Sequence, residues 1–115
     1  MLNQIILIGR LTHEPELKML EDGKKVMSLQ IAVQRNFKNL EGVYETDFIP
    51  ITLWQGLAEN FHQYCEKGTL VAIRGRVQIK HVKYDDKDYK TIEIIGERVT
   101  YLSGVKKDLE EFEDL

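Results

Sequence analysis

The sequence lacks the features that cross-link a chain, anchor it in a membrane or direct its export. Cys65 is the only cysteine among 115 residues, so no disulfide can form within the chain, which suits a reducing compartment. The longest apolar run near the start, Ile5 to Ile8, is too short to span a bilayer. Met1 precedes no basic segment of the kind that opens a signal peptide. We therefore expect one cytoplasmic domain with no membrane partner.

Motifs of catalysis and of metal binding are missing as well. His13, His62 and His81 are scattered and have no partners at the spacing of metal ligands. Neither a glycine-rich phosphate loop nor a nucleophile elbow occurs. Cys65 has no histidine or basic cluster beside it in the sequence, so we interpret it as a small packing residue. These observations predict that the protein is not an enzyme and needs no cofactor or metal.

Charge is unevenly distributed along the chain. The formal net charge at pH 7 is -3, which taken alone argues against a nucleic-acid partner. Residues 106–115 hold two lysines and five acidic residues, whereas residues 1–105 hold 14 basic and 14 acidic residues. A neutral body can still carry a basic groove, because the local field matters more than the total charge. We predict a folded domain over residues 1–105 and a short acidic tail over residues 106–115.

Apolar alternation predicts an all-β domain with one short helix. Strands are expected over residues 3–12, 25–35, 46–54, 69–80 and 89–101. Between the third and fourth strands, Leu57, Phe61 and Tyr64 recur at helical spacing and predict a helix over residues 57–67, ended by Gly68. This is the element order of the OB-fold, a five-stranded Greek-key barrel. In that fold the outer face of strands 2 and 3, with nearby loops, binds oligonucleotides or oligosaccharides.

The third predicted strand carries aromatic side chains on the face that a barrel core does not use. Its alternation turns Ile49, Ile51 and Leu53 inward, which leaves Phe48 and Trp54 on the outer face with Pro50 and Thr52. In the fourth predicted strand the outer set is Arg74, Arg76, Gln78 and Lys80, and the opposite set is Val71, Ile73, Val77 and Ile79. Bases stack on exposed aromatic rings and phosphates pair with cations, so these strands predict a nucleic-acid surface. A solvated strand face, or aromatics packed under a loop or another subunit, is the alternative.

Four segments match a known pattern in their order and spacing. They are NQIILIGRLTHEPEL, LQIAVQRNFK, TDFIPITLWQGLAENFHQYCEKGTLVAIRGRVQ and the closing strand. From Asn3 to about Leu102 the chain thereby resembles bacterial single-stranded DNA-binding proteins, the SSB family, in a short form. The resemblance implies homotetramers of OB-folds that wrap single-stranded DNA without catalysis.

The resemblance also implies which side chains stack on bases. Phe37, Phe48 and Trp54 match the stacking aromatics of the family. A fourth aromatic of the best-known members lies on the hairpin between the last two strands, where Val82 stands in this chain. We assign its role to the neighbouring Tyr84.

Six basic residues are candidate phosphate contacts. Four occupy positions where family members place groove cations or polar contacts: Arg10, Arg35, Arg74 and Arg76. Lys18 and Lys80 extend this set. Because every base has a π-face, the whole site predicts sequence-independent binding of single-stranded DNA, with protection of that DNA in replication, recombination and repair.

Partners and alternatives complete the interpretation. Ile5 to Ile8 do not alternate with polar residues, so both faces of the first strand need cover, which predicts a homo-oligomer; the resemblance implies a tetramer. The chain lacks the Gly/Pro/Gln-rich linker and the Pro-Phe ending of long family members, so recruitment of replication or repair proteins by the acidic tail is left open. An OB-fold assembly module that docks a protein partner, as in a primosome, and a carbohydrate binder or enzyme subunit also stay open.

Overall fold

Six strands and one helix make up the regular structure of residues 1–106, the part of the chain that the computed structural model describes. In chain order they are β1 (Ile5–Leu11), β2 (Lys18–Met19), β3 (Lys25–Lys38), β4 (Tyr44–Trp54), α1 (Gln55–Tyr64), β5 (Leu70–Tyr84) and β6 (Lys87–Ser103). Apart from Lys106, the predicted acidic tail over residues 106–115 lies outside the described residues. Within those residues, α1 is far from the length and apolarity that a membrane-crossing helix needs.

The strands close on themselves as a barrel. Their order in the sheet is β1-β5-β6-β4-β3-β2, and β1 also pairs with β3, which closes the ring. The pairings are antiparallel except that of β4 with β6, which is parallel and meets at Thr52 and Ile95. The predicted OB-fold is therefore confirmed, with the two-residue β2 added beside β3 and α1 placed between β4 and β5.

The predicted boundaries were wrong mainly where strands leave the barrel. β3 continues to Lys38, β4 begins at Tyr44 and β5 runs to Tyr84, so two ribbons project beyond the core. Their outer parts are largely exposed on both faces, so no apolar alternation marks them in the sequence. α1 begins and ends earlier than the predicted helix over residues 57–67, and β2 was not predicted.

The inward faces of the strands form one apolar core beneath α1. Its members are at most 2% exposed: Leu11, Met27, Leu29, Ile31, Ile51, Leu53, Ala58, Phe61, Cys65, Val71 and Ile73. Burial of each large side chain contributes about 1.5–3 kcal/mol. Ile79 shares the alternation of Val71 and Ile73 but is exposed, because β5 has left the barrel by that point.

Two paired glycines mark the place where β5 and β6 leave the barrel. Gly75 lies opposite Gly96, next to a shift in the β5–β6 register. A Cβ on Gly75 would collide with the carbonyl of Ile95, and a Cβ on Gly96 would collide with the side chain of Leu53. At Gly75 only glycine permits this close approach of two backbones, as is common where a strand bends.

β1 is incompletely covered. Ile6 and Ile8 are more than half exposed although they are apolar. β1 pairs with β3 only at Arg10 and Leu11, so within the described chain the first part of β1 has a free edge on that side. Both features agree with the expectation that β1 needs further cover.

Cys65 is fully buried at the end of α1, where its backbone N–H donates to the carbonyl of Phe61 at 2.9 Å. Burial raises the pKa of the Cys65 thiol to about 12. The thiol is therefore protonated at neutral pH, as expected of a packing residue rather than a nucleophile.

Candidate nucleic-acid interface

The outer face of β4 carries a line of aromatic side chains. Tyr44, Phe48 and Trp54 lie on the same side of the strand, because side chains an even number of residues apart share a face. They are 45%, 60% and 37% exposed, whereas Ile51 and Leu53 on the other side are buried. The outward orientation predicted for Phe48 and Trp54 is confirmed. Tyr44 was missed because the predicted strand began two residues later, although the same alternation reaches it.

Phe48 shares a cross-strand row with Arg10. Phe48 pairs with Ala32 of β3, and Ala32 pairs in turn with Arg10 of β1. Two strand spacings, about 10 Å, separate the backbones of Phe48 and Arg10, and the small side chain of Ala32 lines a cavity of about 400 Å³ beside Arg10. Arg10 Nη1 donates to the carbonyl of Gly68 at 3.0 Å, and no ion pair occupies this guanidinium in the described chain.

Trp54 shares a second row with Lys18. Trp54 pairs with Val26 of β3, and Val26 pairs with Lys18 of β2. A cavity of about 350 Å³ opens next to the indole and is lined by Leu20 and Gln55 among others. Phe48 and Trp54 thus each have a cation two strands away in the same cross-strand row.

Gln55 sets the direction of the chain directly after Trp54. Its φ of 55° lies in the left-handed region, which is uncommon for a residue other than glycine. Its side-chain Oε1 accepts a hydrogen bond from the N–H of Lys25 at 3.4 Å. Gln55 therefore joins the start of α1 to β3 and fixes the corner from which the Trp54 side chain projects.

A groove of about 230 Å³ separates the outer face of β4 from the ribbon formed by β5 and β6; Pro50, Thr52 and Lys80 are among its lining residues. The Glu93 carboxylate accepts hydrogen bonds from Thr52 Oγ1 at 3.2 Å and from Gln78 Nε2 at 3.1 Å. Lys80 Nζ lies 3.9 Å from the same carboxylate. Glu93 thus ties the ribbon to β4 and partly neutralises Lys80.

The β5–β6 ribbon (residues 78–91) carries the predicted Tyr84 and also Tyr89, which the sequence analysis missed. Tyr84 is 71% exposed, and Tyr89 is 48% exposed and lies directly opposite Val82. Because opposed and alternate residues share a face, Lys80, Val82, Tyr84 and Tyr89 lie on one side of the ribbon. The signal for Tyr89 is the cross-strand register, which depends on knowing that Asp85 and Asp86 form the turn.

The predicted cation Arg35 is engaged by two carboxylates. Its Nε and Nη2 donate to the two oxygens of Asp47, each at 3.0 Å, and its Nη1 donates to Glu45 at 2.7 Å. The Arg35 hydrogen bond lowers the pKa of Asp47, and Asp47 raises the pKa of Arg35. Asp47 pairs with Val33 and so faces the side of the strands opposite Phe48. The structure therefore places this ion pair away from the aromatic line.

Phe37 lies where the register between β3 and β4 shifts. Gln34 pairs with Thr46 and Lys38 pairs with Tyr44, so the intervening residues of β3 are irregular. Phe37 is 64% exposed there, and Lys38 Nζ sits 5.5 Å from the centroid of the Tyr44 ring, within cation–π range.

The two arginines of β5 differ in their surroundings. Arg74 lies opposite Ile6 of β1 and Arg98 of β6, a part of the barrel wall away from β4. Arg76 Nη1 pairs with Glu97 at 3.3 Å and is half-buried. Neither is brought beside Phe48 or Trp54 by a cross-strand row, in contrast to Arg10 and Lys18.

Comparison with known proteins gives one consistent family. The model described as "Single-strand binding protein family" matches residues 2–102. The chain is 41% identical over 108 residues to Single-stranded DNA-binding protein 1 of Clostridium acetobutylicum, which covers 92% of this chain and 98% of that protein. It is 42% identical over 86 residues to Single-stranded DNA-binding protein B of Bacillus subtilis, 75% of this chain and 76% of that protein.

Among solved structures, the barrel is similar to a deletion mutant of the single-stranded DNA binding protein from Thermus aquaticus. The TM-score is 0.75 at 27% sequence identity, and the match covers 90% of this chain. It covers 51% of the other chain, so this chain spans about half the length of that protein.

Proposed function

The chain belongs to the single-strand binding protein family, and on that premise we propose that it binds single-stranded DNA without sequence preference and protects it in replication, recombination and repair. The family is one of binding proteins rather than enzymes. The two aromatic–cation rows, Phe48 with Arg10 and Trp54 with Lys18, are the observation that carries the proposal.

Each row offers a ring for a base and a cation for the neighbouring phosphate. Stacking on an aromatic ring contributes about 1–3 kcal/mol per base and accepts any base. Arg10 and Lys18 have no ion pair in the described chain, so a phosphate would not have to displace a carboxylate from them. Nothing in the rows requires a hydrogen bond to a base edge, which is why the proposed binding is indifferent to sequence.

The remaining predicted contacts extend this surface. Phe37 and Tyr84 add stacking positions on the two ribbons, and Lys80 adds a cation in the groove between β4 and the β5–β6 ribbon. Arg74 and Arg76 would meet DNA only where it continues round the barrel wall. No described feature favours the protein-docking alternative.

We also propose a homo-oligomer, most simply a tetramer. The exposed Ile6 and Ile8 and the free edge of β1 support it, since a second copy would cover both. The folded body over residues 1–105, a cytoplasmic location and recruitment of replication or repair proteins by the acidic tail belong to the same proposal.

Titration with oligo-dT tests the proposal, with the fluorescence of Trp54, the only tryptophan, as the signal. We expect quenching at nanomolar to micromolar protein, and much weaker competition by duplex DNA. Light scattering should give a multiple of 13.4 kDa. Absence of binding would contradict the function, and a monomer mass at micromolar concentration would contradict the oligomer.

A further inference from the structure

Arg35 lies at the centre of a polar network that runs along the β3–β4 ribbon (residues 34–46). One guanidinium joins Asp47, near the barrel, to Glu45, nearer the tip, through the three hydrogen bonds described above. Glu45 Oε1 in turn accepts a hydrogen bond from Asn39 Nδ2 at 3.4 Å. The network therefore connects the root of the ribbon to its turn.

Asn39 carries the network into the turn itself. Its side-chain Oδ1 accepts hydrogen bonds from the N–H of Glu41 at 2.9 Å and of Val43 at 3.0 Å. Its own N–H donates to the carbonyl of Val43 at 2.8 Å. An asparagine side chain that accepts hydrogen bonds from the backbone in this way favours the turn conformation.

The electrostatics of the cluster oppose a phosphate. Two carboxylates surround one guanidinium, so Arg35, Glu45 and Asp47 together carry a net negative charge. A phosphate that approached Arg35 would meet that charge and would have to displace a bidentate pair, which is among the stronger ion-pair geometries. Asp47 also faces away from Phe48, on the other side of the strands.

The segment held by the network carries exposed aromatic rings. Phe37 lies in the irregular part of β3, and Tyr44 lies directly across the ribbon from Lys38. Both rings are about half exposed or more. An exposed ring stacks on a base with less loss of entropy if its backbone is already ordered, so order in this segment bears directly on affinity.

We propose that Arg35 is a positioning residue, which acts with Asp47, Glu45 and Asn39 to hold Phe37 and Tyr44 in place for stacking, and that it neutralises no phosphate. The proposal rests on the proposed function, since the held rings are taken to stack on DNA.

The sign of the effect of Asp47→Asn separates the two roles of Arg35. If Arg35 met a phosphate, removal of the Asp47 carboxylate would leave only Glu45 to compete for Arg35 and would tighten oligo-dT binding at low salt. If the cluster is a positioning network, Asp47→Asn instead breaks its bidentate pair. We then expect binding about tenfold weaker, the scale of one lost stacking contact. Glu41→Gln is the matched control, because it removes one negative charge from the same turn and keeps the backbone N–H through which Glu41 joins the network.

Salt dependence and a conservative variant give a second criterion. Arg35→Lys keeps the charge but cannot form the bidentate pair, so we expect it to lose as much affinity as Arg35→Ala. The slope of log K against log salt should stay unchanged in both, whereas Lys18→Ala, which removes a cation that has no ion pair in the described chain, should reduce its magnitude by about 0.7. Tighter binding by Asp47→Asn relative to Glu41→Gln, or a reduced slope in Arg35→Ala, would overturn the proposal.

Amide hydrogen exchange tests the network without DNA. In Arg35→Lys the amides of Gly42 and Val43 should exchange faster, while those of Leu29 and Ile51 in the barrel keep their protection. Unchanged exchange in the turn would overturn the positioning role even if affinity falls. If the unaltered protein fails to bind oligo-dT, the proposed function fails, and the exchange result still decides whether the network orders the ribbon.

Discussion

The two ribbons that project from the barrel are held in different ways. In the β3–β4 ribbon, side chains brace the backbone from Asp47 to the turn at Asn39. In the β5–β6 ribbon, the last side-chain contacts are those of Glu93 at the root, and residues 81–92 make no side-chain hydrogen bond or ion pair in the described chain. Both ribbons present aromatic rings, so they differ in how firmly the backbone is held rather than in chemistry.

This difference separates two ways of contributing to affinity. A braced ribbon has lost its conformational freedom before DNA arrives, so most of its stacking free energy appears as binding. A ribbon held only by its backbone ladder must become ordered on binding, and it gives up part of the same stacking free energy. In return, the less ordered β5–β6 ribbon can adapt to DNA strands of different curvature. We therefore expect equal aromatic substitutions on the two sides to have unequal effects.

The largest effect should come from truncation of an aromatic ring on the braced β3–β4 ribbon. Tyr44→Ala is expected to weaken oligo-dT binding by about 2–3 kcal/mol, the upper part of the range for one stacked base, and Tyr84→Ala by about 1 kcal/mol, its lower end. Titration of Trp54 fluorescence at fixed salt measures both. Circular dichroism must show an intact fold in each variant. Equal losses would remove the distinction between the ribbons.

A smaller effect should follow when the β5–β6 ribbon is made more ordered. Asp85 and Asp86 at its tip both have positive φ, 55° and 63°, as a two-residue type I′ turn requires, and glycine is favoured at the second position. Asp86→Gly should stabilise the ribbon by about 0.5–1 kcal/mol. Slower amide exchange at Val82 and Tyr89 measures it, and oligo-dT binding should tighten severalfold. Unchanged exchange would indicate that the turn is not what limits order in this ribbon.

The smallest effect should be that of acid on the braced ribbon. The Arg35 hydrogen bond lowers the pKa of Asp47, so the stabilisation from this pair is present above the unfolded value of about 3.9 and is lost as pH falls through the folded value. After correction for intrinsic rates, the Val43 amide should lose protection below about pH 4. Asp47→Asn should abolish this pH dependence, and its persistence would assign it to another carboxylate.

The barrel and its aromatic line could be predicted because they depend on local alternation. Phe48 and Trp54 face outward for the same reason that Ile51 and Leu53 face inward, and a sequence contains that information directly. Tyr44 was missed only because the predicted strand began two residues too late.

The side-chain partners could not be predicted, because they depend on register. Arg35 meets Asp47 across a shifted pairing of β3 and β4, and Arg76 meets Glu97 next to the shift at Gly96. A shift of one residue in either pairing would change the partners. Tyr89 faces the same side as Tyr84 only because the turn between them has two residues.

The burial of Cys65 makes the protein suited to site-specific labelling. Its only thiol is fully buried and stays protonated, so thiol-reactive dyes should not react with the unaltered chain at neutral pH. A cysteine placed at either ribbon tip, by Asp86→Cys or Glu41→Cys, would then be the single reactive site. With the complementary dye on the oligonucleotide, single-molecule energy transfer would follow each ribbon separately as the protein binds DNA.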